Sequence, residues 1–312
     1  MHVVFMGSPE FAIPSLESLA GSYPIVGVVT QPDRPAGRGR ALRQSAVKSW
    51  SLERGFPVAQ PDRLKDPDAI EQLLVWKPSI IVVAAFGQIL PPAVLDLPEW
   101  GCLNVHASLL PHWRGAAPIQ AAIRHGDTET GVTIMKMDPG LDTGPILSQR
   151  SITIHPDETG GDLTARLAVL GAELLSETIS RYIQGTLQPI PQDDTQATHA
   201  PMLKKSDGRL DFSLPAKQLA LQVRAYEPWP GSFLIWGKRR LVIRKAHAVQ
   251  RNGGMHGHVT EVDGSPAVAT GSGMLVLDVV QPAGSKQMPG DAFARGAKNF
   301  LNAYLDTEVQ DT

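Results

Sequence analysis

The hydrophobic positions of the first 187 residues fall in short apolar runs that alternate with amphipathic stretches. Strands covered on both faces of a parallel sheet are apolar at nearly every position, whereas helices repeat their apolar residues every three or four positions. We predict strands at 2–5, 25–30, 79–86, 101–106, 131–137 and 146–154, and helices at 14–19, 68–76, 118–125 and 161–184. This alternation predicts an α/β domain with a Rossmann-like, doubly wound, mainly parallel sheet.

The second half of the chain has a different pattern. Residues 188–208 are polar and contain proline, which is typical of a linker. Beyond them a predicted helix precedes short apolar runs separated by glycine-containing turns. We predict this helix at 215–225 and strands at 233–236, 241–249, 258–262, 267–270 and 274–280. Five short strands at close spacing indicate a small β-barrel of the oligonucleotide-binding type. We therefore expect two domains, 1–187 and 209–312, joined by 188–208.

Composition places the chain among globular proteins. It has 312 residues, of which 42% are hydrophobic and 19% are charged, enough to form a real core. The N-terminus lacks the apolar segment of a signal peptide, and the longest apolar run, 80–86, is far shorter than the ~20 residues of a membrane span. We expect a soluble, cytoplasmic protein without a membrane partner. The single cysteine, Cys102, lies in an apolar stretch and is expected to be a buried, inert thiol.

The formal net charge is −2, but the charge is unevenly distributed. Residues 205–312 carry 13 Lys/Arg and 10 Asp/Glu, while the remainder of the chain is acidic. The segment 236–245 has five basic residues and no acidic one. These residues are Lys238, Arg239, Arg240, Arg244 and Lys245. Such a segment can follow a phosphate backbone, or it can be a sheet edge protected by charge; composition leaves both open.

The turn after the first predicted strand argues against a dinucleotide site. It begins Gly7-Ser-Pro-Glu and lacks the G-x-G-x-x-G pattern. Pro9 and Glu10 occupy positions where glycines would let a pyrophosphate approach the backbone. A doubly wound sheet alone does not imply a nicotinamide cofactor.

Asn104 and His106 are the first candidates for chemistry. They lie two residues apart at the carboxyl end of a predicted strand, so both side chains point to the same face, beside the crevice where open α/β sheets bind ligands. An amide can hold a developing oxyanion while an imidazole transfers protons, as acyl transfer requires. A histidine at a strand end can equally be a structural residue.

The loop after the next predicted strand contributes two carboxylates, Asp138 and Asp142. A carboxylate there could orient His106 and stabilise its protonated form. The alternative is a plain turn in which the aspartates bond to the local backbone.

A third candidate is a glycine- and proline-containing loop at 30–43, in which four arginines surround one aspartate. Its arginines are Arg34, Arg38, Arg40 and Arg43. Such a loop could fold onto a nucleic acid or be an ordinary solvated connection.

Two sequence blocks together closely resemble the 10-formyltetrahydrofolate-dependent formyltransferases. They are GCLNVHASLLPHWRGAAPI at 101–119 and MDPGLDTGPI at 137–146. The segments QPDRPAGRGR at 31–40 and AYEPWPG at 225–231 resemble the branch of this family that acts on methionyl-tRNA. The similarity extends over essentially the whole chain, although Phe86 occupies a position where the family often has tyrosine.

The resemblance implies a formyltransferase fold and a catalytic set of Asn104, His106 and Asp142. It implies transfer from 10-formyltetrahydrofolate as co-substrate, with no metal and no covalent enzyme intermediate. Two segments are implied to line the folate pocket. They contain Phe86, Gly87, Ile89, Leu90, Ser108, Leu109, Leu110 and Pro111.

The resemblance also implies that the acceptor is initiator methionyl-tRNA and that the protein is a monomer. The residues expected to contact this tRNA are Arg34, Arg38, Arg40, Lys238, Arg239 and Arg240. Three alternatives stay open: a formyltransferase acting on an amino-sugar nucleotide, a hydrolase of the same folate, and a non-catalytic RNA-binding protein that uses the barrel alone.

Overall fold

The computed structural model describes residues 1–36 and 41–305, which form two units. The first unit comprises Met1–Pro118, Glu129–Thr153 and Thr164–Pro201. The second comprises the rest of the described chain. The predicted domain boundaries at residues 187 and 209 stay a prediction.

Up to residue 201, the described residues (1–36 and 41–201) form eleven strands and six α-helices. The strands are β1 (Val3–Gly7), β2 (Ile25–Val29), β3 (Arg34–Ala36), β4 (Ala41–Arg43), β5 (Val58–Ala59), β6 (Ile80–Ala84), β7 (Cys102–His106), β8 (Arg114–Gly115), β9 (Glu129–Lys136), β10 (Ile146–Thr153) and β11 (His199–Ala200). The helices are α1 (Ile13–Ala20), α2 (Ala46–Glu53), α3 (Pro67–Trp76), α4 (Pro92–Leu95), α5 (Pro118–His125) and α6 (Gly160–Ile183).

Seven of these strands form one sheet in the order β10-β9-β7-β6-β1-β2-β5. The five strands from β7 to β5 are parallel, whereas β9 and β10 add an antiparallel edge. The loop 137–145 between β9 and β10 is too short for a parallel crossover, which needs a dozen or more residues. The prediction of a mainly parallel α/β sheet is confirmed.

The core of the first unit fixes the strand ends at which the site lies. Every residue of β1, β6 and β7 is buried, because side chains cover both faces of the sheet. One core cluster joins Val4 and Ile81 of the sheet to Leu73 of α3 and Val94 of α4. The strands therefore have little freedom to shift.

The second unit contains an antiparallel sheet with the path β12-β13-β16-β15-β14, with β17 also paired to β16. Its elements are α7 (Ala216–Ala225), β12 (Ser232–Trp236), β13 (Arg239–Val249), β14 (Val259–Val262), β15 (Ser265–Ala269), β16 (Met274–Pro282), β17 (Met288–Pro289) and α8 (Gly290–Gly296). Phe212, Leu277 and Phe300 lie in its buried core. The expected small barrel-type second domain is confirmed as an antiparallel β unit.

Candidate active site

Asn104 and His106 lie at the carboxyl end of β7, inside the main sheet. Asn104 is paired with Val83 of β6 on one side and with Met135 of β9 on the other. Both side chains are almost fully buried, with exposures of 9% and 5%. Because neighbours on both sides hold the strand, the amide and the imidazole are preorganised.

The carboxylate of Asp142 joins these two side chains. Its Oδ1 accepts a hydrogen bond from Asn104 Nδ2 at 3.2 Å, and its Oδ2 accepts one from the backbone N–H of Gly115 at 2.9 Å. The same Oδ2 lies 3.6 Å from Nδ1 of His106. One carboxylate thus touches the amide and faces the imidazole.

The two interpretations of the loop's aspartates apply to different residues. Asp138 accepts hydrogen bonds from the N–H of Gly140 at 3.1 Å and the hydroxyl of Thr143 at 2.7 Å, as a turn-forming aspartate does. Asp142 instead projects toward β7, from a backbone with φ of +53°. Non-glycine residues adopt this region rarely and at a cost, and such conformations concentrate at functional sites.

The surroundings of His106 assign its tautomer. Its Nε2 lies 3.0 Å from the carbonyl oxygen of Trp113, and a carbonyl can only accept, so Nε2 carries a proton. Nδ1 then carries the free lone pair of the ring and lies 3.6 Å from Oδ2 of Asp142.

Side chains of β9 and β10 hold the backbone of the segment Ser108 to Pro111 in place. Thr133 accepts from the N–H of Leu110 at 3.1 Å and donates to the carbonyl of Ser108 at 2.6 Å, and Gln149 donates to the carbonyl of Leu110 at 2.8 Å. The side chains of Ser108 and Leu110 are buried, while Leu109 and Pro111 are partly exposed. The segment is a fixed wall rather than a free loop.

The other segment predicted to line the folate pocket contains two buried and two exposed residues. Phe86 and Leu90 belong to the core cluster beneath the surface, with exposures of 2% and 3%. Gly87 and Ile89 are exposed, Ile89 by 82%. Of the four residues, Gly87 and Ile89 face solvent, whereas Phe86 and Leu90 fill the core. That this segment binds the folate stays a prediction.

Sequence reasoning missed Arg114 and Gln192. Arg114 has an exposure of 4% and donates from Nε and Nη2 to Oε1 of Gln192 at 3.0 and 2.8 Å. Gln192 in turn donates to the carbonyls of Asp142 and Gly144 at 2.9 and 2.7 Å. No spacing rule connects residues so distant in sequence, and Gln192 lies in the segment whose polarity indicated a linker.

That polar segment is bound to the site rather than free. Its residues His199 and Ala200 form β11, which pairs with β8, and Thr198 Oγ1 accepts from the N–H of Trp113 at 2.9 Å. Thr198 is thus a hydrogen-bonding partner of the loop that follows β7, whereas other polar residues of the segment, such as Asp193 and Gln196, are exposed.

The arginine-rich loop is described only at its base. Arg38 and Arg40 lie outside the described residues. Arg34 begins β3 and donates to the side-chain oxygen of Gln31 at 3.4 Å. Asp33, beside it, bonds to Lys48 at 2.7 Å and to Gln60 at 2.9 Å, and these two hydrogen bonds lower the pKa of Asp33. The base of the loop is thus anchored to the first unit.

The basic segment of the second unit lies at a hairpin. Lys238 is in the turn between β12 and β13, and β13 begins at Arg239, two residues before the start predicted at 241. Arg239 and Arg240 begin β13, and the Arg240 guanidinium carbon lies 3.7 Å from the ring centroid of Phe233. All three cations are exposed. They form a basic hairpin consisting of Lys238, Arg239 and Arg240.

The described part of the chain has neither a metal-binding cluster nor a membrane-spanning helix. Over residues 1–36 and 41–305, no group of three or more His, Cys, Asp or Glu is arranged to hold a metal ion. Within the same ranges, no helix combines the length and hydropathy of a membrane span.

An amide, an imidazole and a carboxylate that meet at a strand end are the groups that acyl transfer requires, and sequence comparison indicates the same class of enzyme. Residues 1–179 match the family described as "Formyl transferase", and residues 202–298 match "Formyl transferase, C-terminal domain". The chain belongs to the formyl transferase family.

Individual relatives indicate which members of the formyl transferase family this chain is similar to. The methionyl-tRNA formyltransferase of Myxococcus xanthus is 47% identical over 300 residues, covering 95% of each chain. That of Chloroflexus aurantiacus is also 47% identical over 300 residues, covering 95% of this chain and 97% of its own. The crystal structure of an N-formyltransferase from Helicobacter canadensis, solved with folinic acid and dTDP-3-aminofucose, has a TM-score of 0.64. Its 18% identity, over 90% of this chain and 98% of its own, shows a shared fold.

Proposed function

We propose that this protein transfers the formyl group of 10-formyltetrahydrofolate to the α-amine of methionine on initiator methionyl-tRNA. The product is N-formylmethionyl-tRNA, used to initiate translation. The observation that carries the proposal is the Asp142 carboxylate, which contacts Asn104 and faces His106 at a strand end. Relatives of the same length at 47% identity favour a tRNA acceptor over an amino sugar.

The arrangement of these side chains supports the following reaction. The methionine amine attacks the formyl carbon, and the carbonyl oxygen becomes an oxyanion. Asn104 Nδ2 has two hydrogens, of which one bonds to Asp142 and the other is available to the oxyanion. The bond between the formyl carbon and N10 of the folate then breaks, and N10 receives a proton.

His106 handles the protons in this scheme. With Nε2 donating to Trp113, Nδ1 accepts the proton that the attacking amine loses. The resulting imidazolium is stabilised by Asp142, 3.6 Å away, until the proton passes to the departing N10. The nucleophile is the substrate amine, so no enzyme side chain needs to form a covalent bond.

The folate would bind along two segments of the first unit. The first segment, Ser108 to Pro111, would contact the folate with backbone groups and with the partly exposed side chains of Leu109 and Pro111. The second segment offers Gly87 and the exposed Ile89, supported from beneath by Phe86 and Leu90. A flat heterocycle is held well by apolar contacts with a few fixed polar groups.

The tRNA would be held by cations. Arg34 and, in the same loop, Arg38 and Arg40 would contact the acceptor end. The basic hairpin of Lys238, Arg239 and Arg240 would contact phosphates, which position a nucleic acid without reading its sequence. We propose accordingly that 1–187 is the catalytic domain and 209–312 a tRNA-binding domain. We also propose that the protein acts as a monomer in the cytoplasm.

An acceptor panel tests the proposal. The purified protein and 10-formyltetrahydrofolate are incubated with initiator methionyl-tRNA, elongator methionyl-tRNA, an amino-sugar nucleotide or no acceptor, and labelled formyl is followed. We expect formyl-methionine on the initiator tRNA and little elsewhere. Transfer to the sugar, or formate release without an acceptor, would overturn the substrate assignment while keeping the catalytic set.

A further inference from the structure

Gln192 is tied to the active site although it lies far from the catalytic motifs in sequence. Its amide nitrogen donates to the carbonyls of Asp142 and Gly144 at 2.9 and 2.7 Å. Its amide oxygen accepts two hydrogen bonds from the buried Arg114. Both ends of one side chain are therefore engaged, one with the loop that bears Asp142 and the other with a fixed cation.

The loop needs such support because its conformation is unfavourable on its own. Asp142 has a φ of +53°, and a non-glycine residue in this region is strained and persists only where its surroundings hold it. A Cβ at Gly144 would lie 1.9 Å from the carbonyl oxygen of Lys136, so the loop also passes unusually close to β9. The two carbonyls that Gln192 binds belong to these same two residues, Asp142 and Gly144.

Arg114 gives Gln192 its rigidity. Its guanidinium bonds to Asp194 Oδ1 at 2.7 Å as well as to Gln192, and its backbone N–H donates to the carbonyl of Thr198 at 2.9 Å. The next residue, Gly115, donates its own N–H to Asp142 Oδ2 at 2.9 Å. The Asp142 carboxylate and the Asp142 carbonyl are thus held from the same short strand, β8, one directly and one through Gln192.

From these contacts we infer that Gln192 is a positioning residue for formyl transfer, which holds the Asp142 loop in the geometry that Asn104 and His106 require. The inference rests on the proposed catalytic role of Asp142. It assigns Gln192, which lies in a segment predicted from its polarity to be a linker, to the active-site scaffold. Gln192 acts through Asp142 and need not touch either substrate.

Two substitutions distinguish the hydrogen bonds made by the side-chain nitrogen of Gln192 from those made by its side-chain oxygen. Gln192→Glu keeps an oxygen acceptor for Arg114 but loses the N–H donors to the two carbonyls. Gln192→Met keeps the side-chain length and loses both sets of bonds. Gln196→Ala is the matched control, because Gln196 is an exposed glutamine of the same segment that bonds to Asp193. His106→Ala reports whether the measured transfer uses the catalytic set.

The test measures kcat and KM for both substrates with initiator methionyl-tRNA, at a temperature where circular dichroism shows each variant folded. We expect both Gln192 variants to lose roughly ten- to a hundredfold in kcat, as misplacement of a catalytic group does, with each KM within about twofold of the parent. We expect Gln196→Ala to match the parent enzyme.

Full kcat in Gln192→Glu would overturn the inference, even if Gln192→Met failed to fold, because Gln192→Glu keeps the bond acceptor for Arg114. A rise in KM alone would also overturn it, since it would place Gln192 in substrate binding. If the parent protein transfers no formyl group to tRNA, the proposed function itself fails. If His106→Ala leaves transfer intact, the proposed catalytic set fails. Both results differ from the outcomes above.

Discussion

The carboxylate of Asp142 lies 3.6 Å from Nδ1 of His106, while Nε2 of that ring is committed to the carbonyl of Trp113. In the tautomer that the Trp113 contact assigns, Nδ1 is the ring nitrogen without a proton, and it faces a carboxylate. In the proposed mechanism Nδ1 takes up the proton of the attacking amine beside the negative charge at position 142.

Replacing Asp142 with asparagine should remove the charge and keep the shape. The imidazolium formed during the reaction would lose its partner, and we expect kcat to fall by a factor on the order of 10²–10⁴. Steady-state formylation of initiator methionyl-tRNA measures the effect. Asp138→Asn is the control, since Asp138 bonds to its own turn; equal losses in both variants would show that the loop matters only as a structure.

Gly115 should not tolerate a side chain. Its φ is +116°, and a Cβ there would lie 2.6 Å from the carbonyl oxygen of Ala200. We expect Gly115→Ala to separate β8 from β11, weaken the bond to Asp142 and lower both kcat and the free energy of unfolding. Chemical denaturation and formylation assays measure the two effects.

Gly185→Ala serves as the control for Gly115→Ala. Gly185 also has a positive φ, +71°, but a Cβ there would meet no atom within 4 Å. We expect a stability loss from backbone strain and an unchanged kcat. Equal kcat in the two variants would show that the pairing of β8 with β11 does not support the site.

Removal of charge from the basic hairpin should weaken tRNA binding without affecting chemistry. We expect the double variant Arg239→Ala, Arg240→Ala to raise KM for the tRNA and to leave kcat and KM for the folate unchanged. The dependence of log affinity on log salt concentration should become shallower by about 1 for each phosphate that the variant no longer neutralises. Lys286→Ala removes an exposed cation elsewhere in the second unit, and an equal effect from it would point to net charge instead of a defined interaction.

The thiol of Cys102 should be inert in the native protein. Burial, with a smaller contribution from the charge of Asp96, raises the pKa of Cys102 from 9.0 to about 12. Between pH 9 and about pH 12 the thiolate forms readily only in the unfolded chain. The free energy of unfolding is therefore unaffected by this group below pH 9 and decreases as the pH rises toward 12. We expect Ellman's reagent at pH 8 to label Cys102 only after denaturation, and rapid native labelling would contradict this.

The main sheet and the Asn104–His106 pair could be predicted because their signals are local. Runs such as 80–84 are apolar at every position, and the alternation of side chains along a strand places positions 104 and 106 on one face. Local sequence could not show that Asp142, and not Asp138, faces His106, because both residues lie in one loop. Only the family resemblance distinguished them before the structure did.

Other features depended on contacts that no sequence pattern encodes. Gln192 and Arg114 are 78 positions apart, and a polar segment that bonds to a site has the same composition as a solvated linker. The burial of Leu90 beside the exposure of Ile89 likewise follows from which residue meets the core cluster, since both are equally apolar.

In the proposed mechanism Asn104, which is hydrogen-bonded to Asp142, stabilises the oxyanion of formyl transfer. The single-turnover rate of formyl transfer to initiator methionyl-tRNA in Asn104→Ala tests this role, with folate binding measured separately by fluorescence titration. We expect a rate lower by roughly 10²–10³ and an unchanged dissociation constant for the folate. An unchanged rate, or a loss explained entirely by weaker folate binding, would contradict it.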